Sequence, residues 1–441
     1  MTEKDVEPEV LINRINHPKN IRRINLTKKP CKQKWYPLLI ADLIVKMTMK
    51  GLTLKVTKTN MEEIDASKEP YLHLLTHNQF LDFIITQQIY RNKHIQYAVN
   101  MADFDRLKGF LLRQAGCFPA RRVVGGAQNV KNVMHIIQKN KRPAGMYPEI
   151  RYCTYGKTLT MPINAYGKLA KLLKVPVVSQ IMHGNYLACP EWMELKWKKK
   201  GNNKEVPIHA RVTRILTKED VQTKSVEELD KIIRDSLQHN EYKYWQETGF
   251  KITDPNRAHG IHRVLYRCPH CKVDFKTTSI LSTLTCTACG VAYELGVDGF
   301  LRCTTGQKTI FSQVPDWAEW QREEVRKEIV AGTYFFEEEM EAASLVHPHK
   351  FRRIGKVKFR HDMNGIRVEG HYRGKDYVLT RAPHEMYTLI VSYFTLGAKK
   401  NHIIEFCTPD DSFNFIPKNE QVEQKLCFAV EEMYKIATKQ K

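Results

Sequence analysis

The stretch Tyr71-Leu72-His73-Leu74-Leu75-Thr76-His77-Asn78-Gln79-Phe80-Leu81-Asp82 passes from one apolar run into a second of different period, with a histidine at the join. Tyr71 to Leu75 is apolar enough for a buried strand, and Phe80, Leu81, Phe83, Ile84 and Ile85 begin a helical pattern that ends near Tyr90. His77 then sits at the turn between strand and helix. On one continuous helix, residues five apart point about 140° away from each other. His77 therefore precedes the helix, with Asn78 as the expected N-cap. From that place the imidazole can fold back onto the Asp82 carboxylate in the first helical turn, which would fix its tautomer and give a base with an orienting partner. A capping turn with a solvent-exposed histidine produces the same local pattern.

Composition narrows the setting. The 441 residues are enough for two or three domains, each with a core. A formal charge of +22 and a pI near 9.4 imply an acidic partner: nucleic acid, an anionic membrane surface or an acidic carrier protein. A solvated basic surface is the plain alternative. Met1 to Glu9 is acidic and polar, unlike a secretory signal, and the apolar segment Trp35 to Met47 is too short to span a bilayer and contains Asp42 and Lys46. A cytoplasmic protein, peripheral to the inner face of a membrane, is expected. Eleven cysteines, four of them in two CxxC pairs, suit a reducing compartment with metal ligation better than a disulfide scaffold.

The chain divides into four expected segments: 1–50, a basic stretch with a short amphipathic helix; 51–261, an alternating domain; 262–305, a cysteine ribbon; and 306–441, an α+β module. Arg14 to Lys34 is rich in Lys and Arg ahead of the apolar run from Trp35, an order that suits a helix lying on anionic lipid or one packed on its own domain. In the second segment His94 to Val99, Arg142 to Tyr147 and Val175 to Met182 read as strands, and Gly126 to Lys139 and Pro162 to Lys174 as helices. Ser225 and Glu228 form a capping box for another helix. The pattern is α/β, with sites expected at the carboxyl ends of strands. Gly116 to Arg122 delivers Arg121 and Arg122 after a short apolar run, and Tyr147-Pro148-Glu149-Ile150-Arg151 delivers a carboxylate and a third guanidinium, the group best shaped to grip phosphate with paired hydrogen bonds.

Taken together, these blocks resemble the glycerolipid acyltransferase superfamily, whose best-known members are the lysophosphatidic acid acyltransferases, over residues 70–190. His77 and Asp82 meet the H-x-x-x-x-D block and Gly116 through Arg122 the G-x-F-P-x-x-R block. Pro148 and Glu149 meet part of P-E-G-T-R, and Val175 to Val178 meet V-P-V-V. The chain departs from the pattern at Ile150, where glycine is usual, and at Arg151, which comes one position early with Tyr152 in the arginine's place. Asn100 stands where many members have Lys, and Thr76 where Asn is commoner.

The resemblance implies an αβ domain around a mixed sheet, with His77 as general base and Asp82 as its orienter. It implies that Arg122 and Arg151 bind a glycerol phosphate, Arg121 assists, and Glu149 orders those arginines or binds an acceptor hydroxyl. The donor would be an acyl thioester of acyl carrier protein or CoA, and the acceptor a lysophospholipid, foremost 1-acylglycerol-3-phosphate, giving phosphatidate. No catalytic metal is expected.

Cys268-Pro269-His270-Cys271 and Cys286-Thr287-Ala288-Cys289 are two knuckles separated by fourteen residues, close to the spacing of four-thiolate zinc sites. One structural zinc is expected on Cys268, Cys271, Cys286 and Cys289, with His270 outside the set and Val273, Phe275, Ile280 and Leu284 on short strands. Trp317 to Val330 reads as a charged helix. Lys356 to Phe359, Gly365 to Tyr372, Asp376 to Thr380 and Ile403 to Phe415 read as strands, with turns at Asn364-Gly365 and Arg373-Gly374, and Gln421 to Ala437 as a closing amphipathic helix. That order resembles pleckstrin-homology-like domains. A zinc ribbon on a basic chain also suits a nucleic-acid-binding protein, although few basic residues lie between the knuckles. An inactive acyltransferase-like scaffold is the third alternative.

Overall fold

A computed structural model describes residues 25–50, 52–67, 69–79, 81–90, 94–104, 106–123, 126–188, 190–193, 206–347, 350–372, 374–393, 402–408 and 411–439. The first part of the basic stretch, residues 14–24, and Arg373 of the expected Arg373-Gly374 turn lie outside them. Seven strands form the first sheet: β1 (Leu54–Thr59), β2 (Leu72–Leu75), β3 (Gln96–Asn100), β4 (Phe118–Ala120), β5 (Ala144–Met146), β6 (Val177–His183) and β7 (Ile208–Leu216). Their order is β1-β7-β6-β2-β5-β3-β4. All neighbours run parallel except β6 and β7, so the sheet is mixed.

Strand β2 is central because every one of its residues is buried, which only a strand covered on both faces can satisfy. Its side chains alternate between two cores. Leu72 and Leu74 pack with Val133, Ile136, Leu169, Val177 and Leu229. Tyr71 and Leu75 pack with Ile95, Tyr97, Val178 and Val212 on the other face. Leu72 aligns with Ala144 of β5 on one side and Val177 of β6 on the other. The carboxyl ends of β2, β3, β4 and β5 therefore lie along one edge, and β2, β4 and β5 are each followed by one of the polar segments singled out above.

Helix α1 (Trp35–Met49) and helix α2 (Leu81–Ile89) pack together, with α3 (Arg106–Gln114) beside them. The expectation of an amphipathic α1 needs correction. Val45 is buried, but Trp35, Leu39, Leu43 and Met47 are mostly exposed, so the helix turns an apolar face outward as well as inward. Among the described residues no helix is long and apolar enough to cross a membrane.

The second sheet is antiparallel: β8 (Thr277–Ile280), β9 (Thr283–Cys286), β10 (Ala292–Leu295) and β11 (Leu301–Cys303), in the order β11-β10-β9-β8. Ile280 and Leu284 lie on its strands. Val273 and Phe275 do not: their segment turns back through the first knuckle, where the Cys268 amide donates to the Val273 carbonyl and the Phe275 amide to that of Tyr266. Helix α4 (Val314–Val330) follows, with Pro315 in its first turn.

The third sheet is also antiparallel, from β12 (Phe336–His347), β13 (Lys350–Asp362), β14 (Gly365–Tyr372), β15 (Lys375–Arg381), β16 (Ile390–Ser392), β17 (Ile403–Cys407) and β18 (Ser412–Ile416), closed by α5 (Val422–Ala437). Its order is β15-β14-β13-β12-β18-β17-β16. The single strand expected over Ile403 to Phe415 is a hairpin instead, because the Thr408 amide donates to the Asp411 carbonyl and folds the chain back. One continuous apolar core runs from Tyr155, Tyr186 and Trp192 through Leu284 and Trp317 into Phe359, Phe415 and Phe428. Ribbon, third sheet and α5 are thus packed into the protein rather than strung from it.

Candidate active site

Strand β2 ends at Leu75, and the chain is then held tightly. The Thr76 amide donates to the Gln180 carbonyl, and the Thr76 hydroxyl accepts from the Met182 amide, which fixes the turn to β6. Helix α2 begins at Leu81, so Asp82 stands in its first turn. One Asp82 oxygen accepts from His77 Nδ1 at 3.1 Å, from the Asn78 amide at 2.7 Å and from the Gln79 amide at 3.1 Å. The other accepts from Asn185 Nδ2. Full burial pushes the Asp82 carboxyl up, while His77 and the two amides pull against that.

This geometry corrects one expectation. Asn78 does not cap the helix: its side chain donates to the Met182 carbonyl at 2.7 Å and to Asn185, tying the turn to the neighbouring strand. The Asn78 and Gln79 amides are spent on Asp82, which leaves neither free for an oxyanion.

The His77 ring lies between two aromatic rings, stacked on Tyr147 at 4.2 Å and tilted against Tyr152 at 4.4 Å. Its side chain is 20% exposed, and Nε2 makes no hydrogen bond among the described residues. His77 borders a cavity of about 450 Å³ also lined by Phe83, Tyr97, Leu112, Arg121, Arg122 and Ile150. Arg122 reaches this cavity with its other side held by Glu405 of β17 at 3.2 Å. Arg121 donates to the Thr408 carbonyl at 3.2 Å. Lys108 and Asp103 pair on the same wall.

Glu149 and Arg151 behave differently from the expectation. Glu149 is buried, and its two oxygens accept from the His77 amide at 2.8 Å and the Leu159 amide at 2.7 Å. It orders the backbone beneath His77 rather than the arginines. Arg151 does not line the cavity. It is 1% exposed and donates to Thr388 at 3.1 Å and Glu431 at 2.8 Å, both in the C-terminal region. Burial alone would raise the Glu431 carboxyl, but Arg322 and Arg151 hold it down at about 2. The structure thus gathers His77, Arg121 and Arg122 at one cavity, with Asp82 and Glu149 buried behind His77, and directs Arg151 elsewhere.

Sequence reading missed Tyr147 and Tyr152 as neighbours of the base, although both flank the Pro148-Glu149 block. It missed Asn185 too, which lies just beyond the strand expected over Val175 to Met182. Glu405 carried no signal at all, since nothing local marks it.

The four knuckle cysteines meet at the ribbon, with all four Sγ atoms within 4.8 Å of one another. Cys268 and Cys289 are 3.7 Å apart, as are Cys271 and Cys286. A zinc ion with Zn–S distances of about 2.3 Å in a tetrahedron requires S–S edges of roughly 3.8 Å, so the donor set fits. His270 bonds the Tyr293 hydroxyl at 2.9 Å and is not in the cluster.

Residues 55–183 match the family model Acyltransferase. Among solved structures, the 1-acyl-sn-glycerophosphate (LPA) acyltransferase PlsC from Thermotoga maritima aligns with 45% of this chain and 76% of its own, at 13% identity and a TM-score of 0.34. No curated protein sequence matches the chain. The family match covers the sheet edge that carries His77, Asp82, Arg122 and Glu149, and on it residues 55–183 are an acyltransferase domain.

Proposed function

We propose that this protein transfers a fatty acyl group from a thioester of acyl carrier protein or CoA to the hydroxyl of a lysophospholipid, with 1-acylglycerol-3-phosphate as acceptor and phosphatidate as product, in phospholipid biosynthesis. The observation that carries this reading is the His77 ring, bonded through Nδ1 to buried Asp82 while its other edge faces a cavity bordered by Arg121 and Arg122. In this scheme His77 Nε2 takes the hydroxyl proton as the oxygen attacks the thioester carbonyl carbon. The tetrahedral intermediate then expels the thiolate, which receives the proton from the imidazolium, leaving ester and thiol. Asp82 fixes the ring tautomer and offsets the charge His77 gains. Tyr97 and Tyr147 border the cavity, but their hydroxyl oxygens are buried without a partner among the described residues, so this reading assigns them no contact with the oxyanion.

Arg122 and Arg121 are the proposed phosphate ligands, and Arg151 is withdrawn from that role by its pairing with Glu431. Zinc in the ribbon would be structural, because four thiolates close the coordination shell. Its contribution would be to hold the two knuckles, and thereby the second sheet, together. The expected segment limits, 1–50, 51–261, 262–305 and 306–441, remain part of this proposal, and the last three contribute to one core.

The proposed setting is the inner face of a membrane, on the cytoplasmic side. Support comes from the apolar face of α1, where Trp35, Leu39, Ile40, Leu43, Ile44 and Met47 are exposed, together with Leu107 and Phe110 of α3. Lys32 and Lys34 before the helix, Lys46 in its last turn and Lys50 after it are exposed and suit anionic lipid.

The test is acyl transfer to 1-acylglycerol-3-phosphate from both thioester types, run beside a nucleic-acid shift in a salt series. Transfer without a shift supports the reading; a steeply salt-dependent shift without transfer supports the nucleic-acid alternative. Within an active enzyme, Arg122→Gln is expected to raise the acceptor KM roughly tenfold or more with kcat little changed.

A further inference from the structure

Ile150 occupies a backbone conformation that its side chain disfavours. Its φ is +59°, in the left-handed region where a β-branched residue is crowded by its own carbonyl. Glycine takes that conformation without penalty. The neighbours explain why the chain cannot relax. On one side Glu149 is tied by both carboxylate oxygens to the His77 and Leu159 amides. On the other, Arg151 is clamped by Thr388 and Glu431. The Ile150 amide itself donates to the Tyr147 carbonyl at 3.1 Å. Strain that is held in place by its surroundings, beside a reactive group, calls for a function.

The side chain gives one. Ile150 lines the cavity, and it lies on the short segment between Tyr147 and Tyr152, whose rings sit against His77. Its branched carbons therefore take up volume in the cavity that the proposed base borders, where the acceptor must sit. We propose that Ile150 is a specificity-determining residue: it narrows the cavity beside His77 and limits the size of the head group that an acceptor can carry next to the hydroxyl being acylated. This rests on the acyl-transfer reading above.

The test compares the full-length wild type with Ile150→Gly and Ile150→Ala on two acceptors, 1-acylglycerol-3-phosphate and a lysophospholipid whose phosphate bears an inositol. Both variants empty the same space, so both are expected to raise the ratio of kcat/KM for the larger acceptor over the smaller by roughly tenfold or more. Thermal melting supplies a second readout. The glycine variant is expected to melt above the alanine variant, the reverse of their usual order, because only glycine relieves the left-handed strain. An unchanged acceptor ratio in both variants, with an active wild type, overturns the assignment of Ile150 alone. Alanine melting above glycine removes the strain on which it is built. A wild type that acylates neither acceptor overturns the functional reading beneath it.

Discussion

Asp82 shows how one side chain can settle both a turn and a ring. It takes two backbone amides and the His77 Nδ1 on one oxygen and Asn185 on the other. The His77 and Asp82 spacing was legible because a turn between strand and helix leaves little choice of partner. Asn185 was not, since it reaches the site from the far end of β6. Arg151 and Arg122 make the same point: alike in sequence, they are separated by the carboxylates that meet them, Glu431 for one and Glu405 for the other. Buried histidines carry a prediction at this scale. Burial lowers His73 to about 3 and His361 to about 4 from an ordinary value of 6.5. As the pH falls below 6.5 the unfolded chain takes up protons that these folded sites refuse. Stability present above pH 6.5 is therefore lost progressively toward pH 4 and 3, before the Glu431 pair weakens between 4.5 and 2. The loss at pH 5 is on the order of 2 kcal/mol for each histidine. Melting temperatures at pH 7, 6 and 5 check this; a flat profile contradicts it.

Secondary-structure elements with strong local signals matched their expectations. The capping box at Ser225 and Glu228 is formed in both directions, and Val177–His183 is a fully buried strand. The helix expected over Gly126 to Lys139 is present as Ala127–His135, continued by a wider π turn at Ile136–Asn140. Departures came where a turn depends on contacts rather than composition, as in the β17 to β18 hairpin. The knuckles belong to the legible class, since thiolate spacing fixes which sulfurs can meet. Purified protein is expected to contain about one equivalent of zinc, and Cys286→Ser to abolish it and lower the melting temperature. Metal analysis finding less than half an equivalent in the wild type would contradict the site.

At the scale of the molecule, the C-terminal third is welded to the acyltransferase domain by buried charge as well as by apolar core. Glu431 of α5 meets Arg151 from the loop after β5 and Arg322 from α4, with all three nearly or fully buried. Removing the shared carboxylate leaves two buried guanidiniums without it, so Glu431→Gln is expected to cost about 3–5 kcal/mol of stability. Denaturant melts measure this directly, and a change under 1 kcal/mol would mean the network is not coupled to folding. Nothing in a local reading marks that network, because its members lie up to 280 residues apart. Glu405 and Thr408 hold the two arginines of the cavity, which places the C-terminal sheet behind that part of its wall. The central claim is that His77 is the base of an acyl transfer carried out in that cavity. The most direct test is turnover of a fatty acyl thioester with 1-acylglycerol-3-phosphate by wild type and by His77→Ala, with folding of both verified by circular dichroism. Product is expected from the wild type and a fall of about 10²- to 10⁴-fold in the folded variant; turnover by His77→Ala near the wild-type rate would contradict the role of His77 as base.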